Sequence, residues 1–280
     1  MKKVIFILLS ILLSVAVFAE EEENFKHFGF SVGGGIVFSH KYNAQYYNGS
    51  DDGSTDDYRP KLSYVFENQY RRDEILLALN GWWDGSVTPP EPEGMKYKIT
   101  SPIAVRFFYR FNEESRLFLE VNQLFLTAVG NFYCGLDSGA NISTKPRETC
   151  AIYGSESRTM LDLGYRYNFT TRSFYDIFFE LGATFTNTVC RDAQIKIRDF
   201  EASIMNRGAY DPSYQSRYDP LRKSAQGVGF FANLGAEFWV TKNFSVDIAF
   251  QIRLTDVNLG EYKKFKPQYG FLVKINLMSF

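Results

Sequence analysis

The end of the chain decides the fold, since residues 268–280 read QYGFLVKINLMSF. Apolar side chains occupy every second position of this stretch, at Tyr269, Phe271, Val273, Ile275 and Leu277. Lys274 and Asn276 lie between them. Because successive side chains of a β-strand point to opposite faces, this stretch predicts a strand with one apolar face and one mixed face.

The same alternation recurs along the chain and suggests a repeated strand. It is found at about residues 26–39, 62–70, 75–83, 103–111, 117–125, 161–169, 175–185, 228–240, 244–254 and 268–280. Tight turns such as Asn112–Ser115 alternate with long polar connections such as His40–Pro60, Asp84–Gly94 and Asn187–Gln226. Bacterial outer-membrane barrels have short periplasmic turns and long extracellular loops. The sequence therefore predicts an all-β, antiparallel, up-and-down transmembrane β-barrel of about ten strands, with eight or twelve as alternatives.

Alternation also occurs in soluble β-sandwiches, so a secreted soluble β-protein is the competing fold. Two further features favour the membrane barrel. Aromatic residues make up 17% of the chain, and they crowd the ends of the predicted strands, as at Tyr109, Phe111, Tyr167, Phe169 and Trp239. Aromatic girdles at the membrane–water interfaces are typical of membrane barrels.

The N-terminus has the layout of an export signal. Lys2 and Lys3 precede an apolar stretch, Val4–Phe18, and the small Ala19 is followed by acidic residues. This predicts a cleaved signal peptide at residues 1–19 and a barrel domain at residues 20–280. A membrane-anchoring helix is the alternative, but the apolar stretch is shorter than the roughly 20 residues that span a bilayer. The predicted location is the bacterial outer membrane.

The face opposite the apolar one is charged. If the apolar residues face lipid, the predicted lumen carries Glu67, Arg106, Arg110, Glu120, Asp162, Arg166, Asp176, Glu180, Glu237, Asp247, Arg253 and Lys274. An Arg or Lys facing lipid at the midplane costs about 2–4 kcal/mol, so these charges are expected inside. They are either a selectivity path or a network of ion pairs that fills a small barrel, and the narrow lumen of eight to ten strands favours the network.

The C-terminal stretch also resembles a known targeting element. Gln268, Gly270, Val273 and Ile275 match the β-signal of bacterial outer-membrane proteins, and Phe280 is similar to their C-terminal aromatic residue. The resemblance implies a transmembrane barrel that is inserted by the barrel-assembly machinery. Its motif covers only the last strand.

Catalytic and metal-binding patterns are weak. Enzymes built on small barrels need an imidazole near the outward rim as a general base, and only His40 is predicted there, while His27 is predicted at the periplasmic end. The acidic residues of 51–57 lack the spacing of a calcium loop, and no Cys/His cluster has zinc-ligand spacing. We therefore expect no enzyme activity, no metal and no cofactor.

Three cysteines lie in the predicted long loops. In an oxidising compartment, a Cys134–Cys150 disulfide is the favoured pairing, while pairings with Cys190 remain open. The loop 187–226 is rich in basic and aromatic residues, and Asp199–Arg207 is compatible with a short helix. Such a loop is either an extracellular contact surface or a lid over the barrel mouth.

The sequence thus predicts a non-enzymatic surface protein of the outer membrane, with long loops for surface contacts or envelope structure. A narrow channel for ions or small solutes through the charged lumen is the alternative. The expected partners are the lipid bilayer, the barrel-assembly machinery and an extracellular ligand of the loops. The net charge of −1 gives no reason to expect nucleic acid.

Overall fold

A computed structural model describes residues 27–51, 58–91, 93–137, 146–171, 174–205, 223–241 and 243–278. The predicted signal peptide and Phe280 lie outside the described residues.

Eleven strands form one antiparallel sheet. They are β1 Phe28–Phe38, β2 Trp83–Thr88, β3 Lys96–Tyr97, β4 Ile103–Arg110, β5 Ser115–Leu136, β6 Arg147–Thr171, β7 Tyr175–Ile197, β8 Phe200–Ser203, β9 Ser224–Thr241, β10 Phe244–Thr255 and β11 Lys266–Met278. Four helical segments lie between β1 and β2: α1 Lys41–Ala44, a 3₁₀ turn Gln45–Tyr47, α2 Ser63–Phe66 and α3 Gln69–Ala78.

Eight of these strands pair in a ring. The order of neighbouring strands around the ring is β5, β4, β1, β11, β10, β9, β7 and β6. The ring closes where β6 pairs with β5. The last pairing runs from Ser115↔Tyr167 to Gly135↔Arg147 and closes the barrel. A closed barrel has no free edge strand in its wall, which is what a membrane requires of β-structure.

The outward face of the barrel wall is apolar. Its exposed side chains form a band, named here the apolar band, whose members include Phe30, Val32, Val105, Leu117, Val121, Phe125, Leu161, Leu163, Leu181, Phe185, Phe230, Leu234, Ile248, Phe250, Phe271, Val273 and Ile275. A soluble protein would bury such residues, so the band marks the surface in contact with lipid. The architecture is that of a small outer-membrane β-barrel.

The closed ring has eight strands, the lower of the predicted counts, within a sheet of eleven. The stretches 62–70 and 75–83, predicted as a hairpin, form α2 and α3 instead. Asn68 caps α3 by accepting a hydrogen bond from the amide of Tyr70 at 3.0 Å, and Ile75 and Leu79, four residues apart, are buried. A spacing of four residues is that of one helix face, so the alternation seen at Ile75 and Leu77 was coincidental.

Three strands extend well beyond the apolar band, where the sequence predicted loops. β5, β6 and β7 continue into the region assigned to long connections, and β2 lies in the segment assigned to a loop at 84–94. The helix predicted at 199–207 is wrong for its described part, because Phe200–Ser203 is a strand paired with β7.

A bulge at Arg191, where Ser155 pairs with Asp192 and Glu156 with Cys190, shifts the inward face of β7 by one residue.

The strand extensions and helices enclose a second core outside the membrane. We call this part, the described residues of the range 39–102 together with the outer ends of β5–β8, the extracellular cap. Its buried cluster includes Tyr46, Leu62, Val65, Phe66, Ile75, Leu79, Met95, Phe132, Ile152, Ile195 and Ile204. The barrel therefore carries a folded, apolar-cored structure on its outward end.

Candidate functional site in the lumen and the extracellular cap

Arg106 holds together the middle of the lumen. Its Nε donates to Glu120 at 2.6 Å, and its two terminal nitrogens donate to both oxygens of Glu180, at 2.5 and 2.9 Å. Lys274 donates to Glu120 from the far wall. The guanidinium also lies 3.7 Å from the ring centroid of Phe118. These contacts join β4, β5, β7 and β11, so the network crosses the lumen rather than lining it.

A second network fills the periplasmic half of the lumen around Glu237. Arg116 and Arg166 each donate to Glu237 at 2.6 Å, and Arg166 also donates to Asp247 at 2.7 Å. Asn276 donates to Asp247 at 2.8 Å. Multiple charge-assisted hydrogen bonds of this kind offset the cost of removing the ions from water.

A third group lies closer to the extracellular end. Arg253 Nη1 donates to Asp162 at 2.8 Å and to Thr184 at 2.9 Å. Its Nη2 donates to Asp162 at 2.6 Å. Asn122 donates to Asp162 at 2.8 Å. Asp162 on β6 thus accepts hydrogen bonds from the adjacent strand β5 and from β10, which does not pair with β6.

Most of the residues predicted for the lumen come together there. The side chains of Arg106, Glu120, Asp162, Arg166, Asp176, Glu180, Glu237, Asp247, Arg253 and Lys274 have exposed fractions of 5% or less. Arg110 is half-buried near Trp239 at the periplasmic end. Glu67 is a wrong assignment, because it follows α2 in the extracellular cap and is exposed.

One lumen residue was missed although the pattern contained it. Arg116 shares the inward register with Phe118 and Glu120, but it directly follows the predicted turn 112–115 and was not counted as part of a strand. Glu156 and Arg158 were missed for a different reason, since they fall in a stretch that was assigned to a loop.

Glu156 joins the extracellular cap to the barrel wall. Tyr47 from the 3₁₀ turn and Tyr97 from β3 both donate to its Oε2, at 2.9 and 3.0 Å, and Arg158 Nε donates to its Oε1 at 2.6 Å. Gly154 leaves room for the Tyr47 ring, because a Cβ at that position would lie 2.1 Å from its Cγ. We call Glu156, Arg158, Tyr47 and Tyr97 the cap junction.

Burial and negative charge raise the pKa values at this junction. Burial, followed by the charge of Glu156, raises the pKa of the Tyr47 and Tyr97 hydroxyls well above the usual range. The neighbouring Cys190 thiol is also buried, and burial together with Glu156 raises its pKa to about 12. These groups are therefore neutral at physiological pH, so the two hydroxyls donate hydrogen bonds and the Cys190 thiol is a poor nucleophile.

The three cysteines are buried, free thiols in the extracellular part. The Sγ atoms of Cys134 and Cys150 are 3.7 Å apart, on the paired strands β5 and β6. The Cys134–Cys150 disulfide remains a prediction, and this proximity favours it over the pairings with Cys190.

The histidines occupy structural positions. The imidazole of His40 accepts a hydrogen bond from the amide of Tyr42 at 3.0 Å, where it caps α1. His27 Nδ1 lies 3.0 Å from the carbonyl oxygen of Arg110 at the periplasmic end. Among the described residues, no group of three or more His, Cys, Asp or Glu side chains is arranged to hold a metal ion.

The predicted assembly signal lies in β11 between β1 and β10. Gln268 is buried, and its Oε1 accepts a hydrogen bond from the Ser39 hydroxyl at 3.3 Å. Gly270 pairs with Val37. Val273 and Ile275 belong to the apolar band. No helix in the described part of the chain has the length and apolar character needed to cross a membrane.

Of the comparisons with known proteins, the one with solved structures gives matches. No family model and no curated protein sequence matches the chain. Among solved structures, the chain is similar to Ail, the attachment invasion locus protein of Yersinia pestis, with 10% identity over 91% of this chain and 99% of that one, at a TM-score of 0.37. It is also similar to OprG of Pseudomonas aeruginosa, with 12% identity over 92% and 100% of the two chains, at a TM-score of 0.38. Neisserial surface protein A gives 9% identity over 92% and 100%, at a TM-score of 0.39.

Proposed function

We propose that the chain is a non-enzymatic surface protein of the bacterial outer membrane, in which a filled barrel anchors the extracellular cap. The observation that carries the proposal is the state of the lumen. Apart from the half-buried Arg110, its ionic side chains are exposed by at most 5%, and most of them are paired across the barrel. A conducting pathway needs a continuous column of water, and paired side chains occupy that space here.

The outer surface of the cap supports a role in surface contacts. On α3, Tyr70 and Leu77 are spaced by two turns and are 65% and 81% exposed, and Trp82 beyond the helix is 56% exposed. Large apolar side chains that a folded domain leaves in water are typical of contact surfaces. Export through residues 1–19 and recognition of residues 268–275 by the barrel-assembly machinery belong to the same proposal.

Planar-bilayer recording tests the filled barrel against the channel alternative. The refolded full-length protein is expected to show no regular conductance steps, while a porin inserted in the same bilayer shows that the assay detects open channels. Regular, ion-selective steps that change when Arg106 and Arg110 are replaced by Ala would instead establish a channel through the lumen. Steps that are insensitive to those replacements would also contradict the filled barrel.

A further inference from the structure

A cleft on the outer wall of the barrel lies just beyond the apolar band. It has a volume of about 380 Å³ and is bounded by β3, β5 and β6. Its polar side chains are Lys96, Lys98, Asn131 and Tyr153, and its apolar wall includes Val129 and Ala151. Every polar side chain in this lining can donate a hydrogen bond, and none is a carboxylate. The lining therefore suits an anion that also carries an apolar part.

The two lysines have their charges available. Both are exposed, and neither forms an ion pair within the part of the chain that the structure describes. By contrast, Lys196 on the same outer surface is held by Glu201 at 2.6 Å. A phosphate placed between Lys96 and Lys98 would be met by two ammonium groups without displacing an existing partner.

Strand register gives the height of the cleft above the membrane. The amide of Lys98 donates to Thr127, two residues beyond the lipid-facing Phe125, and Lys96 pairs with Val129, four residues beyond it. With a rise of about 3.4 Å per residue and a tilt of about 40°, these positions lie roughly 5 and 10 Å outside the apolar band. The headgroup layer of a bilayer is about 5–8 Å thick on each side, and a lysine side chain can turn back toward it.

Two residues outside the cleft lining add a further cation and a further exposed apolar side chain. The guanidinium of Arg191 lies 5.1 Å from the ring centroid of Phe125, so a third cation is placed at the edge of the apolar band. Ile99, next to Lys98, is 66% exposed and offers an apolar contact below the charged groups. An occupant with a phosphate above and an acyl chain below matches this order of side chains.

We propose that this cleft binds the phosphate-bearing headgroup of a lipid in the outward-facing leaflet, with Lys96 and Lys98 as the phosphate ligands. The site lies on the outer wall at the base of the extracellular cap, and the proposal does not depend on which molecule the exposed face of α3 contacts.

The test measures the reactivity of individual lysines in the full-length protein. Nanodiscs of phosphatidylcholine are compared with nanodiscs that also contain a minor fraction of phosphatidic acid, and acylation by a water-soluble reagent is followed by mass spectrometry. Phosphatidic acid should slow the acylation of Lys96 and Lys98 by about fivefold each. Lys263 and Lys264, which are exposed near the outward end of β11, serve as internal references.

Three results would overturn the proposal. Unchanged reactivity of Lys96 and Lys98 would show that the lipid does not bind there. Equal protection of Lys263 and Lys264 would indicate a general surface-charge effect. Equal protection by inorganic phosphate in pure phosphatidylcholine nanodiscs would identify a site for free anions rather than for a lipid.

A paired set of variants provides a second readout. The Lys96→Gln/Lys98→Gln protein should retain less phosphatidic acid after extraction in mild detergent, whereas Lys263→Gln/Lys264→Gln, which removes the same charge, should retain the wild-type amount. Heat-modifiable migration on gels checks that both variants are folded. Equal retention by the two folded variants would contradict the assignment.

Discussion

The inward face of β5 passes through two opposite environments. In the membrane-spanning part it places Arg116, Glu120 and Asn122 in the lumen, and farther out it buries Phe132 and Cys134 under the helices of the extracellular cap. The outward face changes in the reverse sense, from Leu117, Val121 and Phe125 to Asn131. The strand geometry is continuous, and only the solvent on its outer side differs.

This contrast shows how the surroundings decide what the interior contains. Lipid accepts apolar side chains on the outer wall, so the charges are placed in the lumen, where they pair. Beyond the headgroups, water surrounds the same strands, and the hydrophobic effect supplies an apolar interior instead. The lumen is thus held by directional ion pairs, whereas the cap is held by packing, and the two should respond differently to substitution.

The largest expected effect is the loss of one partner of a buried ion pair in the lumen. Arg253→Met leaves Asp162 charged and buried, and such a change typically costs about 3–5 kcal/mol. We expect a lower urea midpoint for the whole barrel, measured by the gel shift of the folded form. The double variant Arg253→Met/Asp162→Asn should recover much of that loss, because no unpaired charge remains.

The matched surface control is Arg71→Met. Arg71 pairs with Glu74 at 2.7 Å on the exposed side of α3, and an exposed pair of this kind contributes about 0–1 kcal/mol. If Arg253→Met and Arg71→Met shifted the midpoint equally, the lumen network would not be what stabilises the barrel.

Removing a packed ring from the cap should have a more local effect. Phe132 is fully buried and its ring lies 6.0 Å from that of Phe66, so Phe132→Ala is expected to cost about 3–5 kcal/mol within the cap. We expect faster proteolysis between residues 39 and 102 while the barrel keeps its heat-modifiable migration. Phe125→Ala, on the lipid-facing side of the same strand, is the control and should leave the proteolysis rate unchanged. Loss of the folded barrel together with the cap would mean that the two regions unfold as one unit.

The sequence predicts the two regions unequally well. In the membrane part, lipid outside and charge inside impose a strict two-residue period, which is why β4, β9, β10 and β11 and most of the lumen residues could be located. The same period failed at 62–83, where the helical face containing Ile75 and Leu79 mimicked a strand.

The extensions of β6 and β7 were missed for physical reasons. Beyond the apolar band the outward residues become polar and the inward ones apolar, so the chemical sign of the pattern reverses along one strand. The bulge at Arg191 then moves the inward positions from even to odd numbers, as at Cys190 and Ala193. Glu156 could not be assigned either, because its partners Tyr47 and Tyr97 are distant in sequence and come from a region read as loops.

Oxidation should stabilise the cap without changing the lumen. A Cys134–Cys150 disulfide would close a loop of 16 residues, which corresponds to roughly 3 kcal/mol in the chain-entropy model. We expect mild oxidation to remove two thiols, to link these two cysteines in peptide maps, and to slow proteolysis of the cap. Cys190→Ser should behave like the wild type in this assay. A disulfide that includes Cys190 would contradict the pairing.

The smallest expected effect concerns the hydroxyl groups of the cap junction. Tyr47→Phe keeps the buried ring but removes its hydrogen bond to Glu156, and a bond to a charged acceptor is worth about 1.5–3 kcal/mol. This loss applies at neutral pH, where the hydroxyl is protonated. The exposed Tyr70→Phe is the matched control and should change little.

Alkaline pH should open the same junction. Because the folded protein raises the pKa of Tyr47 and Tyr97 above the usual value near 10, it holds these protons more tightly than the unfolded cap does. Their contribution is complete below about pH 10 and is lost as the pH rises, and the Cys190 thiol adds a loss that begins near its ordinary pKa of 9.0. Cap proteolysis should therefore accelerate above about pH 9–10, less steeply in Tyr47→Phe than in the wild type. The arginine–carboxylate pairs of the lumen give no reason for a change in this window, since paired arginines stay protonated and carboxylates stay ionised. A barrel that lost its heat-modifiable migration at the same pH would show that the charged lumen and the apolar cap are energetically one structure.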